Sequence, residues 1–503
     1  MPLIRTWQLV AGSAAAGLIL SAGAVVAAGP WDSGQRKAER DRVASLSRTG
    51  GADHGERPLP QAAPSAPGVL PGLPGLGTGA TGASARPAEP GRDAAAADGA
   101  GPEAAAPDRG APDAAALAAA LKPLLADPAL GDLRTASVID TATGTVLYEA
   151  KPREAMTPAS TVKIATAAAA LAALGPEHRI ATTVVPGPGT GRIVLVGGGD
   201  PSLTARKKAP AGSGGSLVDL AADTAQALKA ANTTAVTLGY DDTLYSGPPV
   251  HPIGIDNDNI APVSALTADE GRPDDSFAGP VDRSKTPAAD TARAFASLLR
   301  ESGIKVTGAP AQAKAPAGAA PLATTRSTPL GALVERMLTH SDNDIAEALA
   351  RQTALAAGQP ASFEGAEKAV AAKLAGLGLD LAGSRFADGS GLNRADKVSA
   401  RLLTALLAKA ADPARPELRP VLTGLPVAGF SGTLRTRNTG SSPAAGLLRA
   451  KTGTLSGVNS LAGTVVTPSG RLLSFAFLAA NTPDKPSAEK ALDRLAAAVA
   501  GTP

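Results

Sequence analysis

A serine and a lysine three residues apart, Ser160 and Lys163, open an apolar run that continues through Ile164-Ala165-Thr166 into alanines and leucines. A hydroxyl becomes a nucleophile when a neighbouring base takes its proton, and a neutral lysine amine can be that base. On an α-helix, residues i and i+3 lie roughly 60° apart around the axis and about 4.5 Å apart along it, so the two side chains can meet. An N-cap serine followed by a solvated lysine produces the same spacing. The chain repeats it at Ser302 with Lys305 and at Ser487 with Lys490. On spacing alone the capped helix is the more frequent outcome, so the context must decide.

Two more polar groups sit where chemistry is possible. Ser341-Asp342-Asn343 lies between one helical pattern through Leu330, Leu333, Val334 and Leu338 and another from Ile345 to Leu349. Such a tripeptide either points small polar groups inward from a helix junction or simply caps the second helix. Lys451-Thr452-Gly453-Thr454 heads two strand-like runs, Leu461 to Val466 and Leu472 to Leu478, joined by a Pro468-Ser469-Gly470 turn. A lysine on an edge strand ordinarily blocks aggregation, while backbone left open beside it can receive an extended peptide.

Composition removes several alternatives. The chain has 503 residues and a formal charge of +3, with aromatics at 2%. That charge is small for the size, and few aromatic platforms remain for stacking bases, so nucleic acid is not an expected partner. Zero cysteines rule out disulfides, thiolate metal sites and a cysteine nucleophile. His54, His178, His251 and His340 are too scattered for a metal-ligand spacing, and neither HExxH nor GxSxG occurs. No metal and no cofactor is expected. If a serine acts here, its base is not expected to be histidine.

The elements that must position these residues follow from the pattern. Gln8 to Ala28 is uncharged and apolar after Arg5, so residues 1–30 read as a signal peptide or N-terminal membrane anchor of an exported protein. Residues 31–111 are Pro/Gly/Ala-rich and read as a disordered linker. A first core segment, 112–177, holds a helix from Ala114 to Leu125, a hairpin from Ala136 to Glu149, and a helix from Ser160 to about Leu174, stopped by Gly175-Pro176. Residues 178–310 read as an inserted α/β domain, closed by a Pro/Ala-rich stretch. Its Gly197-Gly198-Gly199 lacks the Gly-Lys-Ser/Thr of a phosphate loop and reads as a tight turn. The second core segment is 311–503, ending in a helix from Ala488 to Val499.

Ser-x-x-Lys, Ser-Asp-Asn and Lys-Thr-Gly in this order form a motif set far more specific than any one of them. From about Pro112 onward the chain resembles the class C low-molecular-mass penicillin-binding proteins, the D-alanyl-D-alanine carboxypeptidase/endopeptidase family. Pro262-Val263-Ser264-Ala265-Leu266, Asp388-Gly389-Ser390-Gly391-Leu392 and Leu425-Pro426-Val427-Ala428-Gly429 look like that family too, as does the long insert between the first two motifs. The resemblance implies a mixed α/β (α+β) fold. Its core is of the serine β-lactamase/DD-peptidase type, an antiparallel sheet flanked by helices plus an all-helical subdomain, and it carries an inserted α/β domain. The other two Ser-x-x-Lys pairs then fall away, since Ser302 precedes a glycine break into a strand and Ser487 caps the last helix.

The implied reaction is cleavage of D-Ala-D-Ala, or of cross-link D-alanyl bonds, through an acyl-enzyme on Ser160. Lys163 would have to be neutral part of the time, which burial and the nearby Lys451 would both favour. The family assigns Ser341 to proton relay and Asn343 to holding the lysine and the substrate amide. Lys451 would attract the substrate carboxylate and Thr452 would bind it. Gly453 and Thr454 would let the peptide lie along the strand, with the N–H groups of Ser160 and Thr454 as oxyanion hole. The implied partners are peptidoglycan stem peptides and acylating β-lactams, with membrane contact only through the N-terminal segment. A serine β-lactamase and a non-catalytic cell-wall sensor are the rival readings. Against the first stand the insert and the lack of a clear Glu-x-x-Leu-Asn segment, and against the second the completeness of all three motifs.

Overall fold

The computed structural model describes residues 113–210 and 212–502. The expected leader, 1–30, and linker, 31–111, lie outside the described residues. Asp113 begins the fold by capping α1 (Ala114–Leu125), its carboxylate accepting the N–H groups of Ala115 and Ala116 at 2.9 Å. Strands β1 (Leu133–Asp140) and β2 (Val146–Ala150) form an antiparallel hairpin with a bulge between Val138 and Ile139. A short 3₁₀ turn, Ala159–Val162, leads into α2 (Lys163–Leu174).

The inserted domain comes next. It contains β3 (Ala181–Pro186), β4 (Arg192–Val196), α3 (Leu217–Ala230), β5 (Ala235–Asp241), α4 (Pro287–Glu301), β6 (Lys305–Val306), β7 (Ala311–Gln312) and β8 (Ala323–Arg326). The sheet runs β6-β5-β4-β3-β8, with β7 also on β5. Helices α3 and α4 bury Leu220, Phe295 and Leu299 in the same cluster as Val184, Leu195 and Leu238.

The expected boundary at residue 310 falls too early. β8 pairs with β3, the first strand of the insert, so the block extends to Arg326. Composition marked the Pro/Ala-rich stretch as an end, but a long-range strand pairing crosses it. That pairing ties the two ends of the insert together where they leave the core. Ser327 continues the tie, its hydroxyl accepting the Ile180 N–H at 2.9 Å.

The returning chain forms α5 (Leu330–His340), α6 (Asn343–Ala356), α7 (Phe363–Gly376) and α8 (Ala400–Ala411). Strands β9 (Leu448–Leu455), β10 (Val458–Val466) and β11 (Leu472–Ala480) and helix α9 (Lys485–Ala500) complete it. The core sheet is antiparallel, in the order β2-β1-β11-β10-β9. β10 and β11 are buried on both faces, which requires cover on each side. One face packs with α1 and α9 around Leu121, Phe475 and Leu495, while the other contributes Ala462 and Ala476 to the helical core of α2, α5, α6 and α8.

α2 is buried from Lys163 through Leu171. An alanine-rich helix suits that place, because small side chains let neighbouring helices approach it from all sides. The two competing Ser/Lys pairs lie elsewhere. Ser302 caps the C-terminus of α4. Ser487 lies inside the first turn of α9, where Asp484, not Ser487 as expected, is the N-cap. Among the described residues no helix is long and apolar enough to cross a membrane.

Phe475 is fully buried and its ring stacks on Phe477 at 5.5 Å. Phe475→Ala should destabilise the core by about 3–5 kcal/mol, read as an earlier midpoint in chemical denaturation of the full chain.

Candidate active site

Ser160 does not begin an α-helix, as its sequence suggested, but sits on the 3₁₀ turn just before one. It caps nothing, because Pro158 holds the cap position of that turn. The tighter winding matters. At three residues per turn the side chains of i and i+3 eclipse instead of diverging, and Lys163 Nζ stands 3.0 Å from Ser160 Oγ. Ala159, the residue before the serine, has φ 49°, a left-handed conformation that costs a non-glycine residue roughly 1–3 kcal/mol.

Lys163 is fully buried, and each of its three ammonium protons has an acceptor. These are Ser160 Oγ, Asn343 Oδ1 at 2.7 Å and the Ser390 carbonyl at 2.5 Å. Burial lowers its pKa to about 8, against opposing charges led by Asp388 and Asp342. Desolvation is the leading cause, one of the two expected from the sequence, the other being a second cation. Lys451 is also fully buried and is pushed well below the usual lysine range, by burial first and then by the charge of Lys163. The two lysines therefore feel each other, and the effect is plainest on Lys451.

The Ser341-Asp342-Asn343 corner joins α5 to α6. Ser341 adopts φ 59° at the end of α5, so the chain turns sharply. Asp342 then caps α6, accepting the Ile345 N–H at 3.0 Å. Asn343 reaches Lys163 through Oδ1 and donates through Nδ2 to the Asn259 carbonyl of the insert, at 3.1 Å. The insert also grips the next residue: Asp344 accepts the Ala261 N–H at 3.0 Å. Among the described residues the Ser341 hydroxyl makes no hydrogen bond to Ser160 or Lys163, so the fold brings it to the corner without joining it to the pair.

Lys451, Thr452, Gly453 and Thr454 lie on β9, the edge of the sheet. Lys451 Nζ donates to the Thr452 carbonyl at 2.9 Å, and the Thr452 hydroxyl to that of Thr433 at 2.9 Å. Gly453 faces Ser460 across the β9–β10 ladder. Ser460 passes over it to donate to the Pro158 carbonyl at 2.6 Å, anchoring the serine turn. A Cβ on Gly453 would stand 2.2 Å from Ser460 Oγ, 2.6 Å from Pro158 O and 3.1 Å from the Ser160 nitrogen. Gly391 presses from another side, where a Cβ would lie 2.1 Å from the Ala159 carbonyl and 3.0 Å from the same nitrogen. Bare backbone is the only thing that fits.

Thr433, Ser460, Ser390 and Gly391 were not among the residues picked out for chemistry. Asp388-Gly389-Ser390-Gly391 stands out in the sequence as a family-like segment, but nothing local says which carbonyl or hydroxyl faces a lysine far away in the chain. Gly453→Ala should slow acylation of Ser160 by a fluorescent penicillin about a hundredfold, as a displacement of order 1 Å does. The melting temperature should show that the protein remains folded.

Comparison with known proteins places this geometry. The chain matches the D-Ala-D-Ala carboxypeptidase 3 (S13) family over residues 117–280 and 273–499. It is 40% identical over 391 residues to a carboxypeptidase of Mycobacterium tuberculosis, covering 75% of this chain and 82% of that protein. It is 31% identical to a D-alanyl-D-alanine carboxypeptidase of an Actinomadura species, covering 69% and 78%. The crystal structure of penicillin binding protein 4 from Haemophilus influenzae shares the fold, with a TM-score of 0.63 at 22% identity, over 76% of this chain and 98% of that one. The chain belongs to the D-Ala-D-Ala carboxypeptidase 3 (S13) family, the class C penicillin-binding type, and is a serine DD-peptidase.

Proposed function

We propose that Ser160 is the nucleophile of this DD-peptidase and Lys163 its base, and that the principal reaction is release of the terminal D-alanine from peptidoglycan stem peptides. The observation that carries the assignment is the buried Lys163 ammonium, 3.0 Å from Ser160 Oγ. With a pKa of about 8, roughly a tenth of it is neutral at pH 7. The neutral amine takes the hydroxyl proton as Oγ attacks the carbonyl carbon. The oxyanion that forms lies against the N–H groups of Ser160 and Thr454, a contribution typically worth about 3–4 kcal/mol. The C–N bond then breaks, and Lys163 gives its proton to the leaving amine of D-alanine, with Ser341 as the relay once bound substrate bridges the corner and the pair. Water hydrolyses the ester in the reverse sense, with Lys163 again as base.

Substrate binding uses the edge strand. A peptide laid along β9 pairs with open backbone, while Lys451 draws its terminal carboxylate and Thr452 turns its hydroxyl proton from Thr433 to that carboxylate. Asn343 orients Lys163 and the substrate amide. β-Lactams acylate the same serine. Action on the cell wall implies an extracytoplasmic location. Gln8 to Ala28 would supply the export signal or anchor, and residues 31–111 a spacer from the membrane, with membrane contact confined to that leader.

Incubation of the purified full chain with a fluorescent penicillin, and with a peptide ending in D-Ala-D-Ala, tests the reading. Label should appear on Ser160 and D-alanine should be released, and Ser160→Ala should lose both. A wild type that is not labelled at Ser160 refutes the assignment. Label without D-alanine release indicates a sensor, rapid loss of label a β-lactamase, and faster cleavage of a cross-linked dimer an endopeptidase.

The pH dependence follows from Lys163. A base must be unprotonated to act, so the acylation rate should climb with rising pH to a plateau, its midpoint near 8. A lysine at its ordinary value would place that midpoint above 10. Stopped-flow acylation from roughly pH 6 to about pH 11, a span that brackets both values, distinguishes them.

A further inference from the structure

Behind Lys163 lies a buried polar network that the reaction above does not use. Its outermost member is His251, which belongs to the inserted domain and is 2% exposed. Nδ1 of His251 accepts the Ile253 N–H at 3.2 Å, so Nε2 carries the proton and donates to Asp388 Oδ2 at 2.8 Å. The ring is held in place by an edge-on contact with Phe363 at 5.4 Å, and Arg351 covers that phenyl ring at 3.9 Å.

Asp388 is the organiser of the Asp388-Gly389-Ser390-Gly391 loop. Its carboxylate also accepts the N–H groups of Ser390 at 3.0 Å, Gly391 at 2.6 Å and Asn393 at 2.7 Å. Asp396 faces it with a buried Oδ2 that no N–H or O–H group reaches. Burial and the charge of Asp388 push Asp396 up, so it holds a proton and gives it to Asp388. Glu347 completes the cage, Oε1 taking the Gly389 and Ser390 N–H groups at 2.9 Å each and Oε2 taking Arg351 at 3.3 Å.

The loop so fixed does three things to the catalytic turn. The Ser390 carbonyl takes one Lys163 proton, and the Gly389 carbonyl takes the Thr166 hydroxyl at 2.7 Å. Gly391 supports the backbone of Ala159 and Ser160. His251, Glu347 and Asp388 come close enough together to hold a cation. Here, however, both ring nitrogens and all four carboxylate oxygens already face hydrogen-bond partners. The cluster is a hydrogen-bonded strut, not a metal centre.

We infer that His251 is a positioning residue for acylation, through which the inserted domain holds the loop that orients Lys163 and Ser160. The inference rests on the assignment of Ser160 and Lys163 made above. Loss of the His251 donor leaves Asp388 Oδ2 with only bonds from its own loop, the Asn393 N–H at 2.7 Å and the Ser390 hydroxyl at 3.2 Å, so the loop loses this tie to the inserted domain and relaxes away from the lysine. A shift of order 1 Å there costs about a hundredfold in rate.

The test compares three variants of the full chain, each measured as acylation rate per labelled site with a fluorescent penicillin. His251→Leu removes the donor at similar size and should slow acylation about tenfold to a hundredfold. His251→Gln keeps an N–H near the Nε2 position and should return the rate to within about threefold of wild type. Gln352→Leu breaks a different insert-to-core bond, Gln352 Nε2 to the Gly198 carbonyl at 2.7 Å, and should leave the rate per site unchanged. Counting labelled sites separates slow chemistry from a smaller folded fraction. Equal slowing in His251→Leu and Gln352→Leu, no rescue by glutamine, or a wild-type rate per site in His251→Leu would each overturn the inference. A wild type that is not labelled at Ser160 is a different failure, that of the underlying assignment.

Discussion

The whole site depends on one constraint, the burial of the Lys163 ammonium. Removing a charge from water costs several kcal/mol even after relaxation, and an acceptor for every proton is the minimum that makes it tolerable. Those acceptors come from three distant parts of the chain, at positions 160, 343 and 390. Burial alone would drive the lysine neutral, and the surrounding carboxylates alone would keep it charged. The balance near 8 sits about 2.5 units below an ordinary lysine, worth on the order of 3 kcal/mol against the charged form. In the proposed reaction that makes it a base available at neutral pH, yet still a competent acid for the leaving amine.

Close approach of backbone is the second requirement, and it follows from the first. A nucleophile, a base and an oxyanion pocket have to occupy one small volume, so the walls must be thin. Gly453 and Gly391 both stand where a Cβ would strike the serine turn. The 3₁₀ winding and the left-handed Ala159 and Ser341 are the local cost of aiming Ser160 and the helix junction inward. These strained residues persist because α2 and α6 are packed on nearly every side and leave the turns no room to relax.

The insert belongs to the site as much as to the periphery. Its first and last strands pair with each other, which makes it a closed unit hung from the core by one short neck. From there it returns to the catalytic region at separate points: Asn259 meets Asn343, Ala261 and Arg283 meet Asp344, and His251 meets Asp388. Glu270, pushed up by burial and by the charge of Asp342, adds a further buried link to the Ser-Asp-Asn corner. A domain inserted between the first two motifs is therefore placed to steady both the corner that carries Asn343 and the loop beneath Lys163.

Much of this was written in local chemistry. Apolar periodicity placed α2, α5, α6 and the β10–β11 pair to within a few residues, because the period of a buried face is a local property. The order of three short motifs marked Ser160, Lys163, Asn343 and Lys451, and Asp342 takes the capping role that was one of two open to its tripeptide. What only the tertiary structure decided is whatever depends on contacts distant in the chain. β8 pairs with β3 across a stretch that composition marks as an end. His251 is one of four scattered histidines until the fold sets it 2.8 Å from Asp388. The pKa of Lys163 is not a property of Ser-x-x-Lys at all. It is fixed by desolvation and by carboxylates from α6 and the Asp388 loop, and those exist around the lysine only once the whole chain has folded.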